Sequence, residues 1–149
     1  MRLAEILSAR RITVRLEATD KPSALRALAE LFVDDVEGID VEEITRVFEE
    51  REALASTGVG SGVAIPHGRL QGIPSLIAAV AISKEGVEFD AIDGRPVHIF
   101  IALLGPRNLD HLKALARFSR LLRSSETRRE LLGAASPADA LDRINLADR

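Results

Sequence analysis

The chain has 149 residues, the size of one ordinary domain, so a single domain spanning residues 1–149 is expected. With 46% hydrophobic and 29% charged residues, the composition is that of a compact globular protein and excludes disordered, collagenous and coiled-coil classes. Cysteine is absent and the net charge is −3, which removes disulfides, thiolate metal sites and cysteine nucleophiles, and argues against a nucleic-acid binder that needs a basic domain.

The N-terminal stretch Met1 to Arg11 carries Glu5 inside its short apolar part, and no run approaches ~18 apolar residues. Neither a leader nor membrane insertion is expected, and the cytoplasm is the expected location. Arg11-Ile-Thr-Val-Arg-Leu16 alternates and is rich in β-branched residues, which predicts a strand. Asp20 followed by Pro22 starts a helix whose Leu25, Leu28 and Phe32 share a face. A second helix begins after Asp40, buries Val41, Ile44, Val47 and Phe48, and is expected to end at Glu49-Glu50-Arg51. The carboxylate pairs Asp34-Asp35 and Glu49-Glu50 fall at helix ends and read as solvated charge.

Between Ser56 and Gly68 the texture changes: Gly58, Gly60, Gly62 and Gly68 place four of the ten glycines in eleven residues. Apolar runs follow at 76–82 and 97–104, separated by Asp93-Gly94, and both suit buried strands. Asn108 is expected to cap a helix with Leu112, Leu115, Phe118 and Leu122 facing inward. Ser124-Ser125 opens a short helix closed by Gly133, and Ser136-Pro137 opens the last. Strands interleaved with helices predict an α/β fold in which helices flank a mixed sheet. Residues 105–130 carry 3 acids against 7 bases, including Lys113, Arg117 and Arg120 at helical spacing. They form either a solvated face or a docking surface for an acidic partner.

The glycines do not match a nucleotide cradle. Gly58-Val-Gly60 meets Val63 where the dinucleotide fingerprint needs Gly or Ala, Gly60-Ser-Gly62 meets Ile65, and there is no GxxxxGK[ST]. Glycine here lets the backbone approach another object closely or take a positive φ. Ile65-Pro66-His67-Gly68 adds a reactive group: Pro66 fixes the backbone and Gly68 removes bulk beside the imidazole, so His67 is both aimed and accessible. His98 alternates with Phe100 and Ala102 in a strand and reads as a sheet-face histidine. His111 falls in the first turn of its helix, where unpaired N–H groups and the positive dipole end favour anions, a fitting place for an assisting histidine. The three histidines share no ligand spacing such as HExxH, so no metal is expected, and no GxSxG elbow supports hydrolase chemistry.

The stretch Arg51-Glu-Ala-Leu-Ala-Ser-Thr-Gly-Val-Gly-Ser-Gly-Val-Ala-Ile-Pro-His67-Gly-Arg-Leu70 resembles the active-site signature of the enzyme IIA proteins of the bacterial phosphotransferase system, fructose/mannitol type, nearest to their nitrogen-regulatory branch. Ile101-Ala-Leu-Leu-Gly-Pro106, the His111 helix and the end-to-end length agree with it. Ser61 departs from the pattern, which carries Asn there in many members. The resemblance implies a sandwich of a mixed sheet between helices. It also implies that His67 accepts a phosphoryl group on Nε2 from a histidine phosphocarrier of the HPr or NPr kind, assisted by Arg51 and His111, without cofactor or metal. Two rivals remain: a sugar-specific enzyme IIA that hands the phosphoryl to a separate enzyme IIB, and a non-catalytic interaction module.

Overall fold

The computed structural model describes residues 1–106 and 109–149. The expected cap Asn108 lies outside the described residues. Strand β1 (Ile12–Thr13) is followed by helices α1 (Lys21–Glu30) and α2 (Val41–Leu54), then by three short strands, β2 (Gly58–Gly60), β3 (Val63–Ala64) and β4 (His67–Arg69). Two long strands, β5 (Ile77–Val87) and β6 (Val97–Gly105), precede helices α3 (Leu109–Leu121), α4 (Ser125–Leu132) and α5 (Pro137–Ala147). The sheet runs β1-β5-β6-β3-β2, with β4 also paired to β6. β5 and β6 are antiparallel, whereas β1 joins β5, and β3 and β4 join β6, in parallel.

The α/β expectation of helices flanking a mixed sheet holds. Residues of β5 and β6 alternate between two apolar cores. Ala78, Val80, Ile82, Ile99, Ile101 and Leu103 face the side that holds Phe118, Leu131 and Ile144 of α3, α4 and α5. Ala79, Ala81, Phe100, Ala102 and Leu104 face α1 and α2, with Leu25, Leu28, Phe32, Ile44 and Phe48. Burial on both faces explains why these two strands read as nearly continuous apolar runs.

Local chemistry sets the helix starts. Asp20 accepts a hydrogen bond from Ser23 N–H while the Ser23 hydroxyl answers the Asp20 backbone, a complete capping box, and Asp40, Ser124 and Ser136 each accept from the backbone three residues on. Three expectations need correction. The first strand is two residues long, not six: Arg11 ends a single helical turn, Ala9–Arg11, with its N–H on the Ser8 carbonyl, and its guanidinium turns inward to the carbonyls of Ile6 and Ala78. Asp35 is not solvated charge: it accepts from Arg10 at 2.9 Å and from the buried Arg11 at 2.8 Å, tying the N-terminal segment to the turn after α1. Helix α2 runs one turn beyond Arg51, to Leu54.

Candidate active site

Helix α2 carries Arg51 in its last turn, β4 opens with His67, and His111 is the third residue of α3. These elements converge because β4 pairs with the C-terminal half of β6, His67 opposite Leu103, and α3 follows β6 directly. The structure therefore brings together all three residues singled out in the sequence. His67 and His111 rings lie 5.4 Å apart, edge to face at 70°. Arg51 Nε donates to His67 Nε2 at 3.1 Å, and its Nη1 donates to the Ala55 carbonyl at 2.9 Å.

His67 Nδ1 sits 2.8 Å from the carbonyl of Ile65. A carbonyl only accepts, so Nδ1 carries the proton; the Arg51 guanidinium only donates, so Nε2 carries the lone pair. Two independent partners thus select the same tautomer and aim a neutral imidazole nitrogen outward.

Gly68 makes this packing possible. A Cβ at Gly68 would stand 2.2 Å from Val47 Cγ1, so only glycine lets β4 lie this close to α2 and brings His67 within reach of Arg51. The glycine-rich run divides into β2, a two-residue turn and β3. Ser61 and Gly62 both have positive φ, 57° and 76°, the geometry that closes a tight hairpin. Asn tolerates this conformation better than Ser, so the turn is more strained with Ser61 than with the Asn that the enzyme IIA pattern carries there. Ser61 N–H donates to Asp93.

A cleft of about 670 Å³ opens over His67, with walls from Val47, Glu50, Arg51, Leu54 and Ala55 on one side, Gly68 and Arg69 at the base and His111, Leu112 and Leu115 on the other. Leu54 and Leu112 stand on its rim, 82% and 58% exposed. The expectation that Leu112 faces the core is corrected: the buried face of α3 is His111, Ala114, Phe118 and Leu121. Burying His111 against the site turns the helix so that its neighbour Leu112 looks into the cleft. Leu54 lies beyond the helix end expected at Arg51, in the added turn of α2, and so carries no signal in the sequence.

His98 stands apart, at the far end of β6, where its Nδ1 donates to the Ser83 carbonyl at 2.9 Å, the sheet-face role expected of it. Of the basic residues on α3, Arg117 is committed to Asp148, through its side chain and its carbonyl. Among the described residues there is no group of three His, Cys, Asp or Glu placed to hold a metal ion, and no helix long and apolar enough to cross a membrane.

Residues 5–146 match the family described as phosphoenolpyruvate-dependent sugar phosphotransferase system, EIIA 2. The chain belongs to this family. The relatives of this enzyme IIA include a nitrogen regulatory protein of Pseudomonas aeruginosa, 36% identical over 146 residues that cover 97% of this chain and 94% of that protein. They also include the fructose-specific EIIABC component of Bacillus subtilis, 32% identical over 151 residues, of which this chain matches only 24% of the length. Among solved structures, the nitrogen regulatory protein IIA-Ntr from Neisseria meningitidis superimposes with a TM-score of 0.88 at 30% identity, covering 95% of this chain and 98% of that one. Membership carries a phosphoryl-transfer role in the phosphotransferase system, and the regulatory relatives match this enzyme IIA over nearly their whole length.

Proposed function

We propose that this enzyme IIA is a cytoplasmic phosphoryl carrier of the nitrogen-regulatory type, loaded at His67 by a histidine phosphocarrier of the HPr or NPr kind. The observation that carries the reading is the hydrogen bonding of His67: Nδ1–H on the Ile65 carbonyl, and a lone pair on Nε2 at the floor of a cleft between Arg51 and His111.

In the transfer, the Nε2 lone pair attacks phosphorus in line. The bond from phosphorus to the carrier's imidazole breaks, and its electron pair returns to that imidazole. The proton on Nδ1 stays where the Ile65 carbonyl holds it, stabilising the charge the ring acquires. Little else is asked of the protein beyond positioning and positive charge around three phosphoryl oxygens. Arg51 leaves Nε2 as phosphorus arrives and turns its planar fork to those oxygens. His111 meets them from the first turn of α3, where the helix dipole adds positive potential. No cofactor enters. The exposed Leu54 and Leu112 give the rim an apolar surface for a docking carrier.

The phosphoryl adds about 1.5–2 negative charges to this surface, which makes the loaded and unloaded forms different binding partners without a change of fold. Incubation with phosphoenolpyruvate, enzyme I and a histidine phosphocarrier tests the reading. Mass and site mapping should find one acid-labile, alkali-stable phosphoryl group on His67; none with an active donor, or phosphate on serine, refutes it and leaves the non-catalytic module. The likeness to a fructose-specific component favours a second reading, delivery to a separate enzyme IIB. Loss of label from His67 on adding a cysteine-bearing IIB from the same organism would support that one.

A further inference from the structure

Glu52 is buried, 7% exposed, in the last turn of α2 next to Arg51. Both of its carboxylate oxygens take hydrogen bonds from one residue: Thr57 N–H lies 3.0 and 3.1 Å from them, and the Thr57 hydroxyl donates to Oε2 at 2.6 Å. Lys21, at the start of α1, closes the other side at 3.1 Å. Taking a carboxylate out of water is costly unless its oxygens are satisfied, and a buried ion pair is a poor staple, since apolar side chains of the same volume hold a loop as well or better. What a bidentate acceptor adds is orientation: gripping the N–H and the hydroxyl of one residue fixes that residue's backbone.

The direction fixed here leads to the histidine. The carbonyl of Thr57 accepts from Ile65 N–H at 2.9 Å. The carbonyl of Ile65 in turn accepts from His67 Nδ1 at 2.8 Å. Two relayed main-chain contacts therefore connect the carboxylate to the imidazole proton, and they span the hairpin formed by β2 and β3.

We infer that Glu52 is a positioning residue, which sets the Ile65 carbonyl through Thr57 and so keeps His67 in the Nδ1–H tautomer whose Nε2 can attack. The inference rests on the reading that Nε2 of His67 receives the phosphoryl group. Without the grip on Thr57 the Ile65 carbonyl shifts, Arg51 alone is left to select the tautomer, and the form with its proton on Nε2, which has no lone pair to offer there, becomes populated beside the other. A displacement of this kind lowers rates by about 10- to 100-fold.

The test uses Glu52→Gln, Glu52→Ala, Thr57→Val and Thr57→Ser. Two readouts are taken: ring nitrogen NMR of His67 in the unphosphorylated protein, and the rate of phosphoryl transfer from a histidine phosphocarrier. Thr57→Ser, which keeps the hydroxyl, should match the parent in both. Glu52→Gln and Thr57→Val should show a mixture of tautomers and a rate at least about tenfold lower, with His67 still labelled at the end. If Glu52→Ala does not fold, these two isosteric variants decide. A folded Glu52→Gln and Thr57→Val pair with the parent's ring resonances overturns the inference, whether transfer is slowed or not, because slowing without a tautomer change marks a merely structural carboxylate. A parent protein that accepts no phosphoryl refutes the carrier reading instead, and the ring resonances still decide what Glu52 does.

Discussion

Replacing Gly68 by alanine probes the packing that seats the α2 wall of the cleft on its base. The added Cβ falls 2.2 Å from Val47 Cγ1 and 3.6 Å from Phe48 Cδ1, where ordinary contact begins near 3.4 Å, so β4 and α2 must part by about an ångström. Val47 cannot turn aside easily, because a β-branched side chain within a helix has one strongly preferred rotamer. Gly68 has no positive φ, so alanine is otherwise allowed and would by itself stabilise by about 0.4–1 kcal/mol through the unfolded chain. Overpacking costs about 1–3 kcal/mol and exceeds that gain. The expected net loss of about 1–2 kcal/mol lowers the melting temperature by about 2–8 °C for a chain of this size. Transfer to His67 should slow as well, since the same displacement separates His67 from Arg51. The assay is a double-mutant cycle on melting temperature with Val47→Ala, which removes the clashing methyl. Gly68→Ala should cost much less in the Val47→Ala background than in the parent. Equal costs in the two backgrounds, or a Gly68→Ala protein as stable as the parent, would refute the close-approach argument.

Three further outcomes are expected. Arg51→Ala and His111→Ala should slow phosphoryl transfer by about 10²–10³ while still reaching full labelling at His67, and His67→Ala should take up none; a variant at the parent rate would make the replaced residue structural. Ser61→Asn should raise stability by roughly 0.5–1 kcal/mol by easing the left-handed backbone, and Ser61→Val should lower it; thermal melts that rank Val with Asn would refute the strain. The hydrogen bond from Ala135 N–H, and then that from Arg143, hold the Asp139 carboxyl below the usual carboxylate range, so its contribution is present above the unfolded value and lost as pH falls through the folded one. The melting difference between parent and Asp139→Asn should therefore be widest above about pH 4 and close towards pH 2, and a constant difference would contradict it.

What the sequence made legible follows the range of the interactions. Helix starts were readable because a cap is a conversation among neighbours: Asp20 with Ser23, Asp40 with Glu43, Ser136 with Asp139. The apolar parts of the two long strands, 76–82 and 97–104, were readable because burial on both faces leaves an unbroken apolar run; the continuation of β5 to Val87 was not, since Lys84 and Glu85 there are exposed. The end of α2 was not, since Ala55 caps it without a side-chain signal. Asp35 and Glu52 were misread or overlooked because their partners, Arg10 and Arg11 in one case and Lys21 with Thr57 in the other, are brought to them by the fold. Among the candidate site residues, Arg51, His67 and His111 stood out by motif and helix position, yet nothing local places them side by side; register on β6 does. The apolar rim was hidden for the same reason, because the rotation of α3 that exposes Leu112 is set by where His111 is buried.

Strands β3 and β4 both run along β6, one after the other, with Ile65-Pro66 between them. They are in effect one strand interrupted for two residues, and the interruption frees the Ile65 carbonyl from the ladder to meet the imidazole. The atom that sets the proton on His67 is thus a main-chain oxygen, common to all twenty amino acids. No substitution at position 65 can delete it. Mutational scanning of that position would report side-chain packing and, with proline, loss of the Ile65 N–H, but never loss of the carbonyl, although a principal determinant of where the His67 proton sits is there. In this protein the heritable form of that determinant is the break in the strand itself.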